Sequence, residues 1–250
     1  EPTAATLAYA WTKGELGRLD VPGKMKIILV YDLGGGTFDV TVVRYSPAEF
    51  TVLATDGDTM LGGLDWTERV LDFACGKFVD KFGIDPREDA PTKFGLMREC
   101  ESAKRELSHW TQTKVEVAYR GQSLTVSLSR PEFEQMTLDL LQRTRDTTEF
   151  VLENNNVSRD ELSEVLLVGG STSIPAVIEM LEKLTGKRPS KVLNPQLAEH
   201  MAAVVVAHAR RQTGLERGDR GGVLREEGRE LADPARNAHR ALRVLCALEQ

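Results

Sequence analysis

The sequence predicts a mixed α/β fold, on three observations. Apolar or β-branched runs of strand length alternate with longer segments of helical spacing. Glycine-rich turns follow two of those runs, DLGGGTFD at Asp32–Asp39 and VLLVGGSTSIP at Val165–Pro175. A polar–apolar alternation on either side of Arg120-Gly121-Gln122 reads as a hairpin.

Taken in order, Thr3–Trp11 reads as the end of a helix and Lys13–Lys26 as a loop rich in glycine and charge. Ile27–Tyr31, Phe38–Tyr45 and Phe50–Ala54 read as three strands of a meander. Val70, Phe73, Ala74, Phe78 and Val79 give Leu64–Phe82 the spacing of an amphipathic helix, and Thr92–Leu107 follows as a second. Lys114–Tyr119 and Ser123–Leu128 form the hairpin. Arg130–Asn154 reads as one long helix, with Pro131 tolerated in its first turn. Val165–Val168 is a buried strand that feeds a helix over Ser173–Leu184, and Leu197–Arg211 is the last helix predicted. Past Gln212 the basic residues are all arginine and glycines recur, so a compositional boundary falls there. That composition favours a solvated tail over a short helix across Ala235–Leu248.

Composition excludes several classes of function. Across 250 residues the net charge is −6, which argues against a nucleic-acid binder held by phosphate contacts. The longest apolar run, Met201–Ala207, is too short to span a bilayer. Cys75, Cys100 and Cys246 are odd in number and lack CxxC pairing, so a reducing, cytoplasmic setting is expected. His109, His200, His208 and His239 are dispersed without metal or triad spacing, and a core or surface role is expected for each. The chain opens on Glu1 rather than methionine, which predicts a trimmed chain or a piece of a longer one.

The chemistry concentrates in the turns. Gly34, Gly35 and Gly36 remove every Cβ from a strand-to-strand turn and permit positive φ, so main-chain N–H groups can approach an anion. Asp32 and Asp39 flank that turn, a pair suited to Mg²⁺ that keeps most of its waters, and Thr37 adds a hydroxyl. At Gly169-Gly170, Ser171, Thr172 or Ser173 can cap the following helix, and Pro175 suits its first turn. Glu101, Lys104, Arg105 and Ser108 share one helix face; taken alone, that pattern is usually a solvated face with a salt bridge. The chain has neither a P-loop nor a GxGxxG turn after a strand.

Five motifs occur in one order: EPTAA from Glu1, DLGGGTFD from Asp32, GDTMLGGLD from Gly57, ESAKRELS from Glu101 and LVGGSTSIP from Leu167. Together they resemble the heat-shock-protein-70, DnaK-type chaperone family, over roughly Glu1–Arg210. The resemblance implies the second lobe of an actin-like, ribonuclease H-like ATPase: a mixed sheet flanked by helices, with an inserted α+β subdomain. Residues 1–61 and 138–212 would form the lower subdomain, 62–137 the upper one, and 213–250 a divergent tail. It also implies ATP or ADP with Mg²⁺ and K⁺ as cofactors. Gly34, Gly35, Gly36 and Thr37 would be the phosphate loop, with Gly63 a further phosphate-side glycine. Asp32 and Asp39 would organise the metal through water, and Glu1 would lie near the metal and the hinge. Glu101, Lys104, Arg105 and Ser108 would hold ribose and adenine, and Gly169, Gly170, Ser171, Ser173 and Ile174 would lie in the adenosine loop. By the same resemblance the partners are the first lobe, nucleotide exchange factors and J-domain co-chaperones.

Departures from the family pattern are specific. Ser173 stands where the family usually has an arginine, so Arg105 would lose its stacking partner across adenine. Leu64, Gln196 and Ala202 replace two acidic residues and a glycine, and the loop at Lys13–Lys26 is longer than usual. The first lobe, with its catalytic lysine, would precede Glu1, so the isolated chain is expected to hydrolyse ATP poorly or not at all. Two readings follow: half of a chaperone ATPase, or a silent nucleotide- or partner-binding module that engages exchange factors.

Overall fold

The structure, a computed structural model, describes Thr6, residues 25–46 and residues 49–191, with Glu49 and Phe50 described by backbone alone. Glu1, the helix end expected over Thr3–Trp11 apart from Thr6, residues 13–24 of the loop expected over Lys13–Lys26, the helix expected over Leu197–Arg211, Gln196, Ala202 and the tail lie outside the described residues.

Three strands come first: β1 (Lys26–Leu33), β2 (Phe38–Ser46) and β3 (Glu49–Asp58). They form an antiparallel meander, as expected. β3 runs four residues past Ala54, because Thr55–Asp58 pair with Phe38–Thr41. β6 (Leu162–Val168) lies parallel to β1, and β7 (Ser190–Lys191) lies parallel to β6. The resulting five-stranded mixed sheet has the order β3-β2-β1-β6-β7.

Strand alternation splits the buried residues between the two sheet faces. Leu29, Tyr31, Leu33, Phe38, Val40 and Val42 join the main core, whereas Ile28, Val30, Val43, Tyr45 and Leu166 form a second cluster. A bulge between Val42 and Val43 shifts the alternation along β2.

Helix α1 (Gly63–Phe82) buries Trp66, Val70, Leu71, Ala74, Cys75 and Phe78. Helix α2 (Ala90–Leu107) starts at Asp89, whose carboxylate accepts the Thr92 N–H at 2.9 Å. α1 and α2 pack on the hairpin β4 (Gln112–Tyr119) and β5 (Gln122–Ser129). Cys75 and Cys100 are free thiols buried in this core, and burial pushes them up to about 11 and about 12, which keeps both thiols protonated at neutral pH.

The long helix expected over Arg130–Asn154 is two helices, α3 (Arg130–Met136) and α4 (Leu138–Asn154). The break falls at Thr137, which leaves helical backbone at φ −113° and returns its hydroxyl to the Phe133 carbonyl at 2.8 Å. Ser129 and Glu132 form a reciprocal capping box at the start of α3, with Pro131 in the first turn as expected. Helix α5 (Pro175–Thr185) follows a 3₁₀ turn, Gly170–Ser173. Its N-cap residue is Ile174, and no side chain caps it, so the capping expected from Ser171, Thr172 or Ser173 does not occur. The 3₁₀ turn turns the Ser171 and Thr172 hydroxyls to other carbonyls, those of Gly34 and Gly169. Among the described residues, no helix is long and apolar enough to cross a membrane.

Candidate functional site

Three glycine-containing segments meet at one end of the five-stranded sheet. The β1–β2 turn closes through the Gly34 N–H donating to the Thr37 carbonyl at 3.0 Å, leaving Gly35 and Gly36 exposed at its tip. The start of α1 seats on that turn: the Gly63 N–H donates to Gly34 O at 2.9 Å and the Leu64 N–H to Gly35 O at 2.8 Å. Ser171, from the turn after β6, donates its hydroxyl to the same Gly34 carbonyl at 3.1 Å.

Four glycines are required by this packing. A Cβ at Gly62 would lie 2.5 Å from Gly36 N, and one at Gly63 would lie 2.1 Å from Ser171 Oγ. A Cβ at Gly57 would lie 2.4 Å from Phe38 O, and one at Gly169 2.3 Å from Leu33 O. Gly169 also sits at φ +85°, a conformation that disfavours any other residue. The triple glycine differs. None of Gly34, Gly35 and Gly36 is among the positive-φ glycines, which corrects the expected use of that freedom. A Cβ at Gly35 or Gly36 would meet nothing within 4 Å.

Asp32 and Asp39 face each other as partners in the β1–β2 ladder, one pair inward from the Leu33–Phe38 pair that precedes the turn. Gly169 and Gly57 flank them: added Cβ atoms there would lie 2.8 Å from Asp32 Oδ1 and from Asp39 Oδ1 respectively. Among the described residues no group of three or more metal-ligating side chains occurs. The donor set is two carboxylates, which suits a cation held through its own waters better than one caged by protein oxygens.

Beside the turn lies a cavity of about 1040 Å³. It brings together ten of the residues expected at the site: Gly35, Gly63, Glu101, Lys104, Arg105, Ser108, Gly170, Ser171, Ser173 and Ile174. Gly34, Gly36, Thr37, Asp32, Asp39 and Gly169 do not line it; they form or flank the adjoining turn. The lining also includes Thr67, Phe94, Met97, Arg98 and His109, which sequence reasoning did not single out as site residues. His109, expected in a core or surface role, is on the cavity wall. Phe94, Arg98, Glu101 and Arg105 recur at helical spacing along α2, a signal that could have extended the face toward its N-terminus.

The shared face on α2 is not a simple solvated one, because Lys104 is only 5% exposed. Its ammonium donates to Gly63 O at 2.7 Å and to Thr67 Oγ1 at 3.0 Å, and pairs with Glu101 Oε2 at 2.6 Å. Burial holds the Lys104 ammonium below its ordinary range, with Glu101 opposing that shift. At Glu101, burial favours the neutral acid, but hydrogen bonds from Lys104 and Thr67 outweigh it and the carboxyl stays below its usual value. Arg105 Nε donates to Glu101 Oε1 at 2.9 Å while its side chain remains 77% exposed. Ser173 carries no cation of its own, but its hydroxyl accepts from Lys191 Nζ at 2.8 Å.

Comparison of the sequence with known proteins identifies the family. The family model described as Hsp70 protein covers residues 1–215. The chain belongs to the Hsp70 family. It is 39% identical over 228 residues to the chaperone protein DnaK of Deinococcus proteolyticus, covering 88% of this chain and 34% of that protein. It is 40% identical over 213 residues to a stromal 70 kDa heat shock-related protein from the chloroplast of Spinacia oleracea, covering 83% of this chain and 34% of that protein. The DnaK of Deinococcus radiodurans is 38% identical over 227 residues, with 88% and 34% covered. This Hsp70 chain therefore spans about a third of the length of these relatives. Its mixed sheet flanked by helices fits the actin-like ATPase fold of the family.

Proposed function

We propose that this chain is the second lobe of a chaperone ATPase and binds the phosphates and the nucleoside of ATP or ADP. The observation that carries this reading is the triple-glycine turn. Gly35 and Gly36 leave a bare main-chain edge that no contact within the described chain demands, beside a cavity walled by Glu101, Arg105 and Ser171. Main-chain N–H groups without neighbouring Cβ atoms suit an oligophosphate.

In this reading Gly34, Gly35, Gly36, Thr37 and Gly63 lie at the phosphate end. Glu101, Arg105 and Ser108, with Gly169, Gly170, Ser171, Ser173 and Ile174, lie at the nucleoside end. Asp32 and Asp39 would hold Mg²⁺ through water, with Glu1 near it and K⁺ a further cation; a bound divalent cation would neutralise phosphate charge. Residues 1–61 and 138–212 form the lower subdomain in this proposal and 62–137 the upper one, a division supported by the helix break at Thr137. Exchange factors and J-domain proteins are the proposed partners, and a reducing cytoplasmic or stromal setting suits two buried thiols.

Isolated, the chain hydrolyses ATP poorly or not at all, because in-line attack needs phosphates enclosed from both sides and water excluded. Titration with labelled ADP tests the reading: saturable, Mg²⁺-dependent binding without turnover supports it, and turnover at the rate of an intact family member refutes the half-site. The second reading, a silent partner-binding module, is favoured by Ser173 and the exposed Leu64 and Phe94 in the cavity wall. Absence of nucleotide binding would select it.

A further inference from the structure

Thr67 is fully buried on α1 yet borders the cavity. Its hydroxyl lies 2.9 Å from Gly63 O and 2.6 Å from Glu101 Oε2, and it accepts from Lys104 Nζ at 3.0 Å. A hydroxyl has one proton, so Thr67 donates to one of those two oxygens at a time. The Lys104 ammonium has three protons and three acceptors here: Gly63 O, Thr67 Oγ1 and Glu101 Oε2. No Lys104 proton is left for a ligand. Outside this closed set, α2 presents Arg98, Ser102 and the Glu101 Oε1–Arg105 pair to the cavity, with Ser108 at its C-terminal cap.

We infer that Thr67 is a positioning residue that ties the nucleoside end of the cavity to the triple-glycine turn. Its proton goes to the Glu101 carboxylate or to the Gly63 carbonyl, and its lone pair accepts from Lys104, which itself holds both of those oxygens. The Gly63 and Leu64 N–H groups in turn grip Gly34 O and Gly35 O. Removing the hydroxyl leaves Lys104 one acceptor short in a buried setting, and Lys104 and Glu101 must then rearrange. That rearrangement reaches the glycine turn through Gly63. Only the identity of the ligand rests on the nucleotide reading; the link from Thr67 to the turn does not.

The experiment compares the full chain with Thr67→Val and Thr67→Ser by ADP titration and by backbone amide NMR. Thr67→Val is expected to weaken ADP binding about tenfold and to shift the Gly35 and Gly36 amide resonances, and Thr67→Ser to restore both. Unmoved Gly35 and Gly36 amides in Thr67→Val overturn the inference, whatever ADP does. If the unaltered chain binds no ADP, the nucleotide reading fails and the amide shifts alone decide the link. If Thr67→Val does not fold, Thr67→Ala against Thr67→Ser isolates the hydroxyl, and identical turn amides in those two overturn the inference.

Discussion

Two sets of glycines meet at the same end of the sheet for opposite reasons. Gly57, Gly62, Gly63 and Gly169 are surrounded: each lacks a Cβ because backbone or a buried side chain occupies that space. Gly35 and Gly36 stand in the open, and Gly34 would make only ordinary contact, 3.5 Å to Thr37 O. The first set is explained by how the chain folds. The second is not, since a glycine that neither needs positive φ nor relieves a contact only adds entropy to the unfolded chain. What it leaves is an approach path for something outside the chain. The seven glycines thus separate into a set that the fold requires and a set that it does not only when the space around each is known.

The contrast can be broken most decisively at Gly169. Gly169→Ala places a Cβ 2.3 Å from Leu33 O on backbone at φ +85°. Strain and overpacking add, and the expected loss is roughly 3 kcal/mol or more, read by urea denaturation. A loss under roughly 1 kcal/mol would show that the surrounded set is not structurally required. Gly63→Ala comes next, at about 1–3 kcal/mol, because its Cβ would meet the rotatable Ser171 hydroxyl rather than fixed backbone. Gly63→Ala combined with Ser171→Ala should recover part of that loss, and no recovery would place the clash elsewhere.

Much of this was legible before any coordinates. The meander, the hairpin, both long helices of the upper half and the glycine-rich turns follow from period, β-branching and turn chemistry, which act locally. The missed features are tertiary. β3 continues through Asp56-Gly57-Asp58 because β2 offers it partners, and Gly57 makes room for Asp39. The helix break at Thr137 has no proline or glycine to announce it. Ser171 does not cap the helix beside it because a carbonyl 137 residues away in sequence takes its hydroxyl. Lys104 looked like a solvent-facing lysine, and its burial depends on α1 supplying Gly63 O and Thr67. Thr67 itself gave no signal, since a threonine inside an amphipathic helix reads as ordinary composition.

A smaller effect sharpens the contrast at the network that joins the two ends. The folded chain holds the Glu101 carboxyl below its ordinary value, so the unfolded chain takes up that proton first as pH falls. The stability contributed by the ionised carboxylate is therefore complete above the ordinary glutamate range and is lost as pH drops through the folded value. The difference in unfolding free energy between the unaltered chain and Glu101→Gln should be greatest near neutral pH and shrink on acidification below about 4.3. A difference that stays constant from neutral to acidic pH would mean that Glu101 is not ionised against Lys104.

The smallest expected change in stability is the most telling. Gly36→Ala adds a methyl group that meets nothing within 4 Å, at a residue outside the positive-φ set. It should leave stability unchanged or raise it by up to about 0.5 kcal/mol, because alanine narrows the unfolded ensemble. The same methyl projects from the bare edge where a phosphate would lie, so ADP affinity should fall by about tenfold or more in a chain that is no less stable. Loss of both stability and affinity would place Gly36 with the surrounded glycines. Loss of neither would remove the steric argument for an anion at the turn, because a ligand that tolerates a Cβ there gives no reason for three glycines.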